Sequence, residues 1–77
     1  MSDDKEKQAE ALRTLSDRER QVLILVVEGR TSKEIARIVG VKPASVDTYR
    51  SRIMTKLEVA DLPSLVRFAI RHGLIKP

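Results

Sequence analysis

Along this chain, polar stretches alternate with short apolar runs, and each run is bracketed by residues that start or stop helices. The first run, residues 22–27, is six apolar side chains without a break. Periodicity alone would allow a buried strand here. The flanks decide against it. Upstream, Ser16-Asp17-Arg18-Glu19 is a capping box: the Ser16 side chain can accept from the backbone N–H three residues on, while Glu19 reaches back to the Ser16 N–H. Downstream, Gly29 stands where a left-handed residue closes a helix. The pattern predicts a helix that is apolar on nearly every side. Either its neighbours enclose it, or one edge of it is a partner surface.

The same start signal recurs at Thr31-Ser32-Lys33-Glu34, followed by Ile35, Ala36, Ile38 and Val39, then Gly40. Pro43 opens the next helix, in a first turn where its missing N–H has no intrahelical partner to lose. Two helices joined by a tight turn of about four residues containing Gly form the helix-turn-helix pattern. The third helix is predicted over residues 43–57. At about 100° per residue, Val46, Ile53 and Leu57 share a narrow arc and form its core stripe. The opposite arc holds Asp47, Thr48, Ser51, Arg52 and Thr55, with Tyr49, Arg50 and Lys56 along its borders. An ordinary solvated face carries Glu, Lys and Gln. This one carries short hydrogen-bonding side chains edged by long cations, a composition that lets a helix sit deep in a groove while the cations reach phosphate walls.

A fourth helix is predicted after Asp61, a fitting N-cap, with Pro63 in its first turn. Leu62, Leu65, Val66, Phe68, Ala69 and Ile70 cover well over half its circumference, and only Arg67 and Arg71 mark a clearly polar side. Packing on a three-helix core needs a narrower stripe. The surplus predicts a second buried contact, for which a homodimer is the simplest candidate; the alternative is a small exposed apolar patch, which monomers tolerate. Residues 1–14 are polar, with no Gly or Pro, and read as a linker or N-terminal arm that could form a loose helix. The expected fold is therefore all-α, a four-helix bundle with a central helix-turn-helix in residues 15–77.

Composition narrows the function. Seventy-seven residues make one domain, too small for a cleft between two lobes. With no cysteine, neither disulfides nor thiolate metal sites are available. The polar, acidic start is unlike a signal peptide, and no window reaches the roughly 18 apolar residues of a membrane span, so a cytoplasmic location without membrane contact is expected. One His and scattered carboxylates offer no nucleophile–base pair and no metal shell, so neither enzymatic activity nor a cofactor is expected. The lone His72 suits the negative end of the fourth helix. The net charge of +4 is unevenly spread. Residues 1–15 carry four acidic and three basic side chains, whereas residues 41–57 set Lys42, Arg50, Arg52 and Lys56 against Asp47 alone. A surplus concentrated there points to a polyanion.

Taken together, these segments resemble the LuxR/FixJ/GerE-type helix-turn-helix DNA-binding domain of two-component response regulators. Leu15-Ser16-Asp17-Arg18-Glu19-Arg20-Gln21-Val22-Leu23 is similar to the family's opening, and Gly29-Arg30-Thr31-Ser32-Lys33-Glu34-Ile35-Ala36 to the start of its second helix. Residues 45–57 resemble its recognition helix and residues 65–75 its fourth helix, without a gap across roughly residues 15–75. The resemblance implies that the third helix enters the major groove of double-stranded DNA. It also implies a homodimer through the fourth helix, with Leu65, Phe68, Ala69 and His72 at the interface. It sets Asp47, Thr48 and Ser51 against base edges. Phosphate contacts fall to Ser32, Lys33, Lys42, Ser45, Tyr49, Arg50, Arg52 and Lys56. None of the base-reading trio is the bidentate arginine that discriminates guanine best, so modest direct readout supported by phosphate contacts and paired half-sites is expected.

Two positions depart from the family pattern. Lys42 stands where a Ser or Thr often caps the recognition helix, and Tyr49 replaces a frequent His. The cap is therefore expected to be weaker, whereas a Tyr hydroxyl can still bond a phosphate. The resemblance also implies a receiver domain ahead of residue 1. Two other readings compete: a helix-turn-helix kept for protein interaction or RNA polymerase docking, and the region-four domain of bacterial sigma factors. The polar face edged by cations argues against the first, and the apolar fourth helix against the second.

Overall fold

A computed structural model describes residues 2–76. Five helices follow one another: α1 (Ser2–Arg13), α2 (Asp17–Val27), α3 (Ser32–Val39), α4 (Pro43–Leu57) and α5 (Leu62–Arg71). There is no strand among the described residues. The four helices expected from the sequence are α2 to α5, and α1 is an addition to them.

Local chemistry sets the boundaries. The Ser16 hydroxyl accepts from the Glu19 N–H at 3.0 Å, and the Ser16 N–H donates to Glu19 Oε1 at 2.9 Å, completing the first capping box. Thr31 and Glu34 repeat the arrangement at 3.1 and 2.9 Å. Asp61 accepts from the Ser64 N–H at 2.8 Å. The backbone N–H bonds of Thr31 and Ser64 hold the Glu34 and Asp61 carboxyls below the usual carboxylate range. At the other end of α2, Gly29 takes φ 89°, so the Gly29 and Arg30 N–H groups turn back to the carbonyls of Val26 and Leu25 at 3.0 and 3.1 Å. Lys42 provides no side-chain cap for α4, as its chemistry predicts. The far end of α4 closes on Glu58, a non-glycine residue in the left-handed region at φ 55°.

The core is one cluster. Val22, Leu23, Ile35, Val46, Ile53 and Leu65 are its largest fully buried members. α2 runs through the middle, packed on α3, α4 and α5. Its neighbours thus enclose most of the continuous apolar run, leaving Ile24 and Leu25 half-buried. Helix α1 rests on α4, with Leu12 buried and Gln8 and Ala11 half-buried on the same side. Gln8 Oε1 accepts from Arg71 Nη1 at 3.3 Å and from His72 Nε2 at 3.0 Å. His72 caps α5 with its ring 4.5 Å from that of Phe68. Burial holds its pKa below the usual histidine value, helped by Lys5 and Arg71, which disfavours the charged ring.

Candidate nucleic-acid interface

Helix α4 is the element that most of the predicted site residues share. Val46 (0% exposed), Ile53 (1%) and Leu57 (3%) fasten its inner side to the core. That anchoring leaves Asp47, Thr48, Ser51, Arg52 and Thr55 exposed along the other side, as the sequence spacing requires. Ser45, Tyr49 and Arg50 are half-buried at the edges. The outer face carries no large apolar side chain and no bulky residue between Ala44 and Thr55 other than Arg52. A polar ridge this low can approach a surface closely along its whole length.

Two hydrogen bonds shape the face. Ser32 Oγ, in the first turn of α3, donates to Asp47 Oδ1 at 3.3 Å, across the helix-turn-helix. This brings a predicted phosphate contact and a predicted base contact together. Thr48 Oγ1 donates to the Ala44 carbonyl one turn back at 3.3 Å, which leaves its methyl group as an outward apolar feature. Lys33 and Lys42 are exposed on either side of the turn. Among the described residues neither the Arg50 nor the Arg52 guanidinium is paired with a carboxylate.

Lys56 differs from the other cations. Its Nζ lies 2.8 Å from Oε1 of Glu19, whose side chain is only 5% exposed. Local spacing assigns Glu19 to the capping box alone; its second partner, 37 positions away, leaves no signal there.

The residues expected at a dimer interface are placed differently from the α4 set. Leu65 (1% exposed), Phe68 (3%) and Ala69 (0%) belong to the chain's own core, and His72 is half-buried against Phe68 and Gln8. Leu65, Phe68 and Ala69 retain almost no surface for a second molecule. What α5 leaves outside is a different row, Leu62 (43% exposed) and Ile70 (36%) with the half-buried Val66 between them, spaced four apart along one edge. The surplus of apolar positions is real, but the fold absorbs the central part of it. No group of three or more His, Asp or Glu side chains among the described residues is arranged to hold a metal ion, and no described helix is long and apolar enough to cross a membrane.

Comparison with known proteins places this geometry. Residues 13–69 match the family described as bacterial regulatory proteins, luxR family. The transcriptional regulatory protein FixJ of Azorhizobium caulinodans is 48% identical over 60 residues, which cover 78% of this chain and 28% of that protein. The response regulator protein VraR of Staphylococcus aureus is 37% identical over 70 residues, 91% of this chain and 34% of the relative. The crystal structure of full-length FixJ from B. japonicum superposes with a TM-score of 0.83 at 33% identity, covering 97% of this chain and 38% of that one. The chain thus spans about a third of the length of the relatives it matches.

Proposed function

The chain belongs to the luxR family of bacterial regulatory proteins, and from that premise we propose that it binds double-stranded DNA by inserting α4 into the major groove. The family and the relatives named above are transcriptional regulators rather than enzymes. The observation that carries the proposal is the outer face of α4: short polar side chains along its length, long cations at its edges, and a fully buried apolar stripe behind it.

In this reading Asp47 accepts from a base amino group, the Thr48 methyl meets a thymine methyl, and Ser51 bonds to whichever edge it faces. The Ser32 hydroxyl, 3.3 Å from Asp47, fixes the direction of that carboxylate. Ser45, Tyr49, Arg50 and Arg52 reach phosphates from α4, with the Ser32 backbone N–H, Lys33 and Lys42 doing so from the turn and the start of α3. A trio without arginine discriminates weakly. Specificity therefore depends on pairing two chains on two half-sites through α5, and the row Leu62, Val66 and Ile70 is the surface available for it. In the whole protein this unit serves as the effector domain of a cytoplasmic response regulator.

Selecting duplexes from a random pool, then measuring fluorescence anisotropy on the selected and scrambled sequences at two salt concentrations, tests the proposal. Two chains should occupy each selected duplex, with a preference on the order of 10³-fold, near the lower end for specific binders. The Ile70→Glu variant should bind as single chains. Equal affinity for every duplex at both salts would sink the reading.

A further inference from the structure

Glu19 is the one charged side chain buried among the described residues, at 4% exposure. Its Oε1 accepts from both the Ser16 N–H at 2.9 Å and Lys56 Nζ at 2.8 Å. The second of these bonds joins the first turn of α2 to the last turn of α4. Beyond its buried anchors Val46, Ile53 and Leu57, α4 has weak end caps. Lys42 lends no side-chain cap at the start, and the finish rests on Glu58 in a conformation that favours glycine. A charge-assisted tie between the two helices is thus well placed to fix the angle at which α4 leaves the core.

On the DNA-binding reading above, we infer that Lys56 is a positioning residue that aims α4 through Glu19 and neutralises no phosphate itself. Its place on the helix, along one edge with Ser45 and Tyr49, would suggest a phosphate contact. The geometry commits its ammonium elsewhere. A Lys–Glu pair carries no net charge, so it releases no counterion when DNA arrives. Breaking the pair also has a cost within the protein, because the buried Glu19 carboxylate would keep only its bonds to the capping box. The bond from Lys56, followed by that from the Ser16 N–H, holds the Glu19 carboxyl below its ordinary value of 4.5. A carboxyl lowered on folding stabilises the fold above that ordinary value, and the contribution is lost as pH falls through the folded one.

Three variants separate the roles. Lys56→Gln should leave the slope of log K against log salt unchanged and reduce discrimination between selected and scrambled duplexes. Arg52→Gln should flatten the slope by about 0.9, the effect of one lost phosphate contact. In the protein without DNA, the NMR-monitored titration of the Glu19 carboxyl should move up toward 4.5 in Lys56→Gln. Lys56→Arg should restore it. A slope flattened by about 0.9 in Lys56→Gln would overturn the inference, and so would a Glu19 titration unchanged by that substitution. If no duplex binds at all, the DNA reading fails, while the Glu19 titration still decides whether the pair exists.

Discussion

Replacing Arg50 and Arg52 together by Ala lowers affinity for every duplex, selected or scrambled, by roughly 60-fold at about 0.1 M salt. The figure follows from counterion release. Each phosphate neutralised contributes about 0.9 to the slope of log K against log salt, and so about 0.9 log units at 0.1 M relative to 1 M. Two contacts make about 1.8 log units, and the slope flattens by about 1.8. Both side chains border the polar face of α4, Arg52 exposed and Arg50 half-buried, and among the described residues neither is paired with a carboxylate. The loss is uniform across sequences because phosphates carry no sequence information. Anisotropy titrations across a salt series check it, with circular dichroism confirming that the fold survives. An unchanged slope would mean that neither arginine meets a phosphate.

The second large effect lies behind the face. Ile53 is 1% exposed and ties the middle of α4 to the core. Ile53→Ala removes buried methylene and methyl groups and leaves a cavity, which costs about 3 kcal/mol. A chain of 77 residues has a total stability of roughly 4–12 kcal/mol. The melting temperature should therefore fall by roughly 12–24 °C in a thermal melt. Thr55→Ala, on the exposed side of the same helix, should stay within about 0.5 kcal/mol of the parent. If the two variants melted together, α4 would not be anchored through Ile53.

The contrast between those residues was legible before the structure. Helix starts at Ser16, Thr31 and Asp61 depend on side-chain-to-backbone bonds across three residues, and such short-range chemistry is written in local spacing. The stops at Gly29 and Gly40 were legible for the same reason, since both take the left-handed conformation that glycine adopts freely. The stop at Glu58 was not, because a carboxylate side chain gives no notice of φ 55°. Helix α1 was only half visible. Its inner side is Gln8, Ala11 and Leu12, too weak a stripe to stand out in a polar segment, and its fit depends on Arg71 and His72 from the far end of the chain.

The same limit governs the site. Spacing alone put Asp47, Thr48 and Ser51 on one exposed face, because a helix fixed by Val46, Ile53 and Leu57 has no other way to turn. Which cations are free to meet phosphate depends on contacts between distant segments, and the Glu19–Lys56 pair is one of them. Likewise, an apolar helix announces that it is buried but not against what. Leu65, Phe68 and Ala69 are covered by their own chain, and only Leu62, Val66 and Ile70 remain for another.

Backbone amide shifts, recorded by NMR as a selected duplex is added to the labelled protein, show most directly which surface meets DNA. Insertion of α4 predicts the largest changes at Ser32 and Lys33 and along Asp47, Thr48, Ser51, Arg52 and Thr55. Changes confined to the concavity between Gly29, Arg30, Leu74 and Ile75, with α4 unmoved, would contradict the account.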